Sequence, residues 1–299
     1  MGGPDATSVV ERERRHLLAV AYRKLGSTAE AEDAVQEAFL RWTEADRAEI
    51  ENPGAWLTTV LIRHCLDRLK SARARRELYV GTWLPDPLLE EEGPGVDPAD
   101  RVTLDESVSL AMLVVLETLS PAERAVFVLH DVFGLSFEEV SAMVGRAPAA
   151  CRQLGSRARH HVEERRPRAT ADAGEQRRVV AAFLEAAGRG DLEALLELLD
   201  PSVVLRADSG GKVPAARRPE SGAGRVAGIL MTGRLWYPGM VARTVSVNGG
   251  TGAVVSRGGS ILAAVGVTVA DGRITEIDIV VNPEKLEPLR IGGADPEAS

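Results

Sequence analysis

The stretch LSPAERAVFVLHDVFGLSFEEVSAMVGRAPAACRQLGSRARHH, residues 119–161, decides how the chain is read. Ser120, Pro121 and Glu123 form a helix start: a side-chain cap, a residue preset for the first helical position, and a carboxylate placed to close a capping box. Ala125, Val126, Leu129 and Phe133 then recur at helical spacing until Gly134 ends the run. Ser136 and Glu139 repeat the start signal, and Phe137, Val140 and Val144 form one apolar stripe. Gly145-Arg146-Ala147 is a turn short enough to hold two helices at a steep angle, and Pro148 opens a last helix. The pattern predicts a helix-turn-helix.

The last helix has two faces. Cys151, Leu154, Ala158 and Val162 fall on one side, toward a core. Ala149, Arg152, Gln153, Ser156 and His160 fall on the other, flanked by Arg157 and Arg159. Arg and Gln make bidentate contacts to base edges, and small Ala and Ser let a backbone approach the major groove. Flanking arginines neutralise phosphates. The competing reading is a solvated basic face on an ordinary helical hairpin. Ala147, not Ser or Thr, precedes Pro148, so this helix lacks a good side-chain cap.

A chain of 299 residues suggests two or three domains, and 44% hydrophobic residues is enough for real cores. No apolar run approaches the roughly 20 residues of a membrane span, and MGGPDATSVVERERRHLL has no signal-peptide pattern. The expected location is cytoplasmic. Cys65 and Cys151 read as small buried residues of a reduced protein. No metal is expected: Cys151 with His160 and His161 has the wrong spacing for a standard zinc site. The net charge of −8 argues against a general nucleic-acid coat. Yet Arg63, Arg68, Lys70, Arg73, Arg75 and Arg76 face a single acid, Asp67, within residues 63–76, and residues 146–168 are also basic. The segment between is acidic, from Asp86 and Glu90 to Asp105 and Glu106. Two basic patches separated by an acidic linker suggest two footprints on one DNA.

Upstream, residues 9–25 read as a helix with Leu17, Leu18, Ala21 and Leu25 inward. A second helix begins after a break at Ser27 and Thr28, with Ala31, Val35, Ala38 and Trp42 inward. Its opposite face shows Asp33, Gln36, Glu37 and Leu40; an exposed Leu beside acids signals a partner surface or a solvated face with one stray Leu. Asn52-Pro53 starts a third helix, with Trp56, Leu57, Val60, Leu61, Leu66 and Leu69 as its apolar content and the first basic patch in its C-terminal half. Some of those cations suit the helix macrodipole. The prolines and glycines of residues 79–105 read as a linker, not a packed element, although Trp83, Leu84, Leu88 and Leu89 predict that part of it docks on something.

AEDAVQEAFLRW, NPGAWLTTVLIRHCLDRLKSARARRE and the helix-turn-helix, in this order over residues 8–166, resemble a bacterial RNA polymerase sigma factor of the extracytoplasmic-function class. The resemblance implies that Asp33, Gln36, Glu37 and Leu40 bind the beta-prime clamp of core polymerase. It implies that the third helix melts and reads the minus-ten promoter element, and that the helix-turn-helix reads the minus-thirty-five element beside the beta subunit. Promoter DNA and core polymerase are thus the expected partners, with no membrane, no cofactor and no catalytic residue.

Past RRPRATADAG (165–174), Val179, Val180, Phe183, Leu184 and Ala187 mark one amphipathic helix, and Leu192, Leu195, Leu196 and Leu199 another. Strand-like runs follow at 203–207, 241–248, 252–256, 260–270 and 273–281, with Asn248-Gly249 and Asp271-Gly272 as hairpin turns. In the last run Ile274, Ile277, Ile279 and Val281 alternate with Thr275, Glu276 and Asp278, with one slip. Helices, then an antiparallel sheet, describe an α+β domain. It resembles the SnoaL-like cone fold, a helix pair and curved sheet around a pocket that could hold an unknown small ligand. WLPDPL, DSGGKV (208–213) and NPEKL (282–286) resemble marks of the SigJ-type subgroup, whose fused SnoaL-like domain regulates the sigma factor; Ser209 stands where glycine is usual.

The whole expectation is two all-α sigma domains, the second with the helix-turn-helix, then an α+β SnoaL-like domain. The boundaries are 1–78, a linker 79–105, 106–167, a linker 168–174, 175–290 and a tail 291–299. Trp83, Leu84, Pro85 and Leu88 are expected to meet Asp208, Gly210, Gly211 and Lys212, with Asn282, Pro283, Lys285 and Leu286 alongside. Read from the residues alone, the DxGGK loop is a docking surface, a plain turn or part of a pocket, with Asp208 and Lys212 offering a charge pair or ligand contacts. The rival for this half is catalysis, for which Asp208, Asp278, Lys212 and Tyr237 are the candidates.

Overall fold

A computed structural model describes residues 6–46, 50–90, 109–165, 172–232 and 239–289, and only the backbone of 6–11, 70–77 and 90. The chain forms two compact units: Met1–Leu78 with Leu113–Arg166, and Tyr79–Met112 with Pro167–Ser299.

The first unit is helical: α1 (Ala6–Leu25), α2 (Thr28–Glu44) and α3 (Pro53–Glu77), then α4 (Leu110–Glu117, which straddles the unit boundary), α5 (Pro121–Phe127), α6 (Phe137–Val144) and α7 (Pro148–Arg165). Both anticipated capping boxes close, Ser120 with Glu123 and Ser136 with Glu139. Hydrogen bonds from Ser136 hold the Glu139 carboxyl below its ordinary range. Gly145 stops α6 in a left-handed conformation, φ 68°. The run ending at Gly134 is not all α-helical: Val128–Val132 widen into a π turn, with Phe133 N donating to Val128 O at 3.1 Å. The apolar spacing alone cannot distinguish this from an α-helix.

The inward stripes are as the spacing predicts: Leu17, Leu25, Ala31, Val35, Ala38 and Trp42 pack with Leu57, Leu61 and Leu69. Trp42 and Trp56 stack at 5.6 Å, tilted. The same core also takes in Val126, Leu129, Val140, Met143, Cys151 and Leu154, so the helices on either side of residues 79–112 share one interior. That interior holds a cation, Lys24, fully buried with no hydrogen-bond partner for Nζ among the described residues. Burial pushes its pKa down to about 8, and pushes the nearby Cys65 thiol up to about 11.

The second unit is a helix-backed sheet: α8 (Ala173–Arg189), α9 (Leu192–Leu198), β2 (Leu199–Asp208), β3 (Glu220–Ser221), α10 (Ala223–Thr232), β4 (Val241–Val247), β5 (Gly250–Arg257), β6 (Ser260–Ala270), β7 (Arg273–Val280) and α11 (Pro283–Leu286), preceded by β1 (Leu89–Glu90). The strand order is β1-β4-β5-β6-β7-β2-β3. Asn248-Gly249 and Asp271-Gly272 make their turns with positive φ at both positions. The slip in the last hairpin is a register shift beside Thr268, opposite Thr275. The sheet is not purely antiparallel: β2 runs parallel to β7, because the β4–β7 meander ends beside the strand laid down first. The second leucine stripe is also corrected. Leu195 alone of it is buried within α9; Leu192 and Leu196 are exposed, and Leu199 already belongs to β2.

Candidate functional site

In the helical unit, α2 presents Asp33, Gln36 and Leu40 to solvent with Glu37 half-buried, and Leu40 is 53% exposed. Asp33 accepts from Arg68 of α3 at 3.3 Å, and Glu37 accepts from Arg41 at 2.9 Å. Arg63 donates to Ala142 O of α6 at 3.3 Å. Lys70, Arg73, Arg75 and Arg76 lie on α3, but their side chains fall outside the described residues. On α7, Ala149, Arg152, Gln153, Ser156, Arg157 and His160 are exposed, while Cys151, Leu154, Ala158 and Val162 are buried. The arginines are tied sideways to acids: Arg152 to Glu138 at 2.6 Å, Arg157 to Glu123 at 3.0 Å, and Arg159 to Asp131 at 2.9 Å.

In the second unit the three marked segments converge on one carboxylate. Asp208 is the last residue of β2, fully buried. Its Oδ1 accepts from Tyr79 Oη at 2.6 Å, and its Oδ2 accepts from the Leu84 N–H at 2.9 Å. Lys285 Nζ lies 3.0 Å from Oδ2, 3.4 Å from Asp86 Oδ1 and 4.1 Å over the Trp83 ring, and donates to the Leu84 carbonyl. Asn282 caps α11 through Oδ1 and donates from Nδ2 to Tyr79 Oη at 2.8 Å. Burial, reinforced by the bond to Asp208, pushes the Tyr79 phenol well above its ordinary range.

Residues 84–87 are buried, which is feasible because Pro85 and Pro87 bring no N–H to satisfy. Further along, the Leu88 N–H donates to Asn248 Oδ1 at 3.2 Å and Asn248 N donates to Leu88 O at 2.8 Å; Leu89 and Glu90 then join β4 as an edge strand. Residues 79–90 are therefore packed, as the apolar Trp83, Leu84, Leu88 and Leu89 predict and the proline and glycine content does not. Their side chains and the prolines suit an extended edge, and the hydrogen-bond partners come from far down the chain. Residues 91–108 lie outside the described residues.

The glycines of the loop after Asp208 are needed for close approach. Gly210 has φ 58°, and a Cβ there would sit 2.7 Å from Asn282 Nδ2; Gly211 has φ 72°, and a Cβ there would sit 2.9 Å from Val80. Ser209 has no positive φ, so a side chain fits, and its Oγ accepts from Gly211 N at 3.2 Å. Asp208 and Lys212, which could offer a charge pair or ligand contacts, do not pair with each other: Lys212 pairs with Glu284, and Lys285 takes Asp208. Trp83, Leu84, Leu88, Asn282 and Lys285 all take part, and the buried Leu286 seats α11 on the sheet unit, with Pro283 as its exposed first residue. Tyr79, Val80, Asp86 and Asn248 were not anticipated. The Asn-Gly pair is fully explained locally as a turn, which hides the second use of the Asn side chain.

Of the acid–base candidates, Asp208 is engaged as above, and Asp278 pairs with Arg206 at 2.7 Å. Burial works against the Arg206 charge, but Asp278 and Glu276 outweigh it and hold that guanidinium protonated. Tyr237 lies outside the described residues. None of the described candidates lines the apolar cavity within the sheet unit.

Residues 9–75 match the family described as Sigma-70 region 2, and residues 109–162 match Sigma-70, region 4. These are the two helical segments that share the core, and they define a transcription-initiation factor of the sigma class. The match continues beyond them. The probable ECF RNA polymerase sigma factor SigI of Mycobacterium tuberculosis (strain CDC 1551 / Oshkosh) is 38% identical over 98% of this chain and 100% of its own length. The ECF RNA polymerase sigma factor SigJ of strain ATCC 25618 / H37Rv is 40% identical over 97% and 96%. The crystal structure of M. tuberculosis SigJ superposes with a TM-score of 0.72 at 35% identity, covering 94% of this chain and 98% of that one. The chain belongs to the extracytoplasmic-function RNA polymerase sigma factors, in the form that carries a SnoaL-like cone-fold domain after the helical regions.

Proposed function

We propose that this sigma factor binds the polymerase clamp through the exposed edge of α2 formed by Asp33, Gln36, Glu37 and Leu40, reads the minus-ten element with residues 52–76 and the minus-thirty-five element with residues 147–161, and is regulated in cis by its sheet unit. The polymerase makes the bonds; the factor supplies positioning, in the cytoplasm. Exposed pairs such as Asp33–Arg68 and Arg152–Glu138 contribute little, about 0–1 kcal/mol each, so exchanging them for polymerase or phosphate costs little.

Elements about 25 base pairs apart are separated by about 85 Å of duplex. Helices α3 and α7 sharing one core cannot reach both, so the helical unit opens when it engages a promoter. Residues 79–112 connect the two halves that must part. The observation that carries the regulatory reading is the hold on this connector: Tyr79 and Leu84 on Asp208, Lys285 on Leu84, and Asn248 on Leu88. A held connector resists the opening.

The test is in vitro transcription with core polymerase on a promoter selected from a random library. It compares the full chain, a truncation after Arg168 and a chain lacking Asn282 onward. Initiation by the full chain, with altered output from both truncations, is expected. DNA binding without initiation by any of the three would sink the sigma reading, and equal output from all three would sink the regulatory one.

A further inference from the structure

A cavity of about 320 Å³ opens into the cone of the sheet unit. Its walls include Leu205, Ala207, Leu230, Ile279, Pro283 and Leu286, and the other lining side chains among the described residues are also apolar. A charged ligand would lose its hydration there with no charged or hydrogen-bonding side chain among the described walls to replace it. The volume lies at the lower end of the range for small-molecule sites.

Two elements have one side in this cavity and the other at the Asp208 hold. On α11, Pro283 and Leu286 line the cavity, while the neighbouring Asn282 and Lys285 bind Tyr79, Leu84 and Asp208. On β2, Ala207 lines the cavity, and Asp208, one residue on, points to the opposite face as strand alternation requires. Helix α11 is a single turn of four residues, so its position depends on what packs beneath Leu286.

We propose that the cavity is a binding site for a small, uncharged, apolar molecule, and that its occupancy tightens the grip of α11 and Asp208 on residues 79–90. This rests on the cis-regulatory reading above and supplies its effector. A ligand that binds only the gripped state stabilises it by the factor 1 + [L]/Kd.

The probe is N-phenyl-1-naphthylamine, a neutral apolar dye, with 1-anilinonaphthalene-8-sulfonate as its anionic counterpart, both on the full chain. The neutral dye should bind saturably at one site per chain and the anion more weakly. Ala216→Phe and Met240→Trp, each filling the cavity from a partly buried wall position, should abolish binding while far-UV circular dichroism stays unchanged. Deuterium uptake across residues 79–90, at dye ten times its Kd, should slow by up to about tenfold. Absence of saturable binding, or equal binding by both folded variants, overturns the site. Binding with unchanged uptake overturns the coupling. Displacement of the dye by a synthetic peptide of residues 290–299 overturns the small-molecule assignment. Asp208→Asn separates the two levels: if it fails to speed uptake across 79–90, the regulatory reading itself has failed and this proposal falls with it.

Discussion

Arg152 meets Glu138 in the helical unit with 55% and 64% of the two side chains exposed; Lys285 meets Asp208 in the sheet unit with 11% and 0% exposed. The first pair sits in water and trades readily for other charges. The second is screened by protein, and each member is costly to strand. One surface is prepared to exchange partners and the other to keep them. The interior of the helical unit keeps its charges too: Arg124 pairs with Glu117 at 2% and 16% exposure, and Lys24 is buried without a hydrogen-bond partner for its Nζ among the described residues.

The comparison can be broken most directly at Asp208. Asp208→Ala leaves Lys285, the Tyr79 hydroxyl and the Leu84 N–H without their acceptor, and should cost about 3–5 kcal/mol. Urea unfolding of the full chain should show the loss, with new protease cuts within residues 79–90. A change below about 1 kcal/mol would mean that water reaches this carboxylate and the contrast is false.

Next in size, and opposite in sign, is Lys24→Met. A fall in pKa from 10.5 to about 8 corresponds to about 3 kcal/mol of unfavourable burial, so the variant should gain about 1–3 kcal/mol at pH 7. Below pH 8 Lys24 is charged in both states and its cost is constant. Above that, the folded chain sheds a proton that the unfolded chain keeps up to 10.5, so stability rises with pH. Cys65 opposes this between pH 9 and about 11, where the folded chain keeps a proton that the unfolded one loses. The wild-type rise should therefore stand out between about pH 8 and 9 and be absent from Lys24→Met. Denaturation midpoints at stepped pH would decide.

Gly210→Ala sharpens the comparison within the sheet unit. Its Cβ would press on Asn282 at positive φ, at a cost of about 1–2 kcal/mol, with faster amide exchange across residues 79–90. Ser209→Ala, at an ordinary φ, should do much less. Smallest in stability is Arg152→Ala, expected within about 0.5 kcal/mol of wild type. Promoter-DNA affinity should nonetheless fall by about 1–3 kcal/mol, read as a shift in binding midpoint at fixed salt. A large stability loss with unchanged DNA binding would make Arg152 structural.

Local signals predicted local structure well. Ser120 with Glu123, Ser136 with Glu139, Gly145 and the Asn-Gly and Asp-Gly turns each report a backbone choice made within a few residues, and each is found. What the sequence hides is long-range. Asn248 satisfies a turn and a strand 160 residues upstream with the same residue. Lys285, not the nearer Lys212, takes Asp208, because α11 aims it there. The parallel β2–β7 pair depends on where the meander ends, which no stretch of side chains encodes. The exposed faces of α2 and α7 were legible from periodicity, but their sideways ion pairs were not, since those partners lie on other helices.

The connector and its hold are far apart in the order of synthesis. Lys285 follows Leu84 by 201 residues. At about 5–20 residues per second, the ribosome needs about 10–40 s to cross that distance. Once the second helical region is complete at Arg165, both helical regions have been made while α11 is still to come. Every new molecule thus begins without the α11 part of the restraint, which can form only after Asp208 and Asn248 have been made.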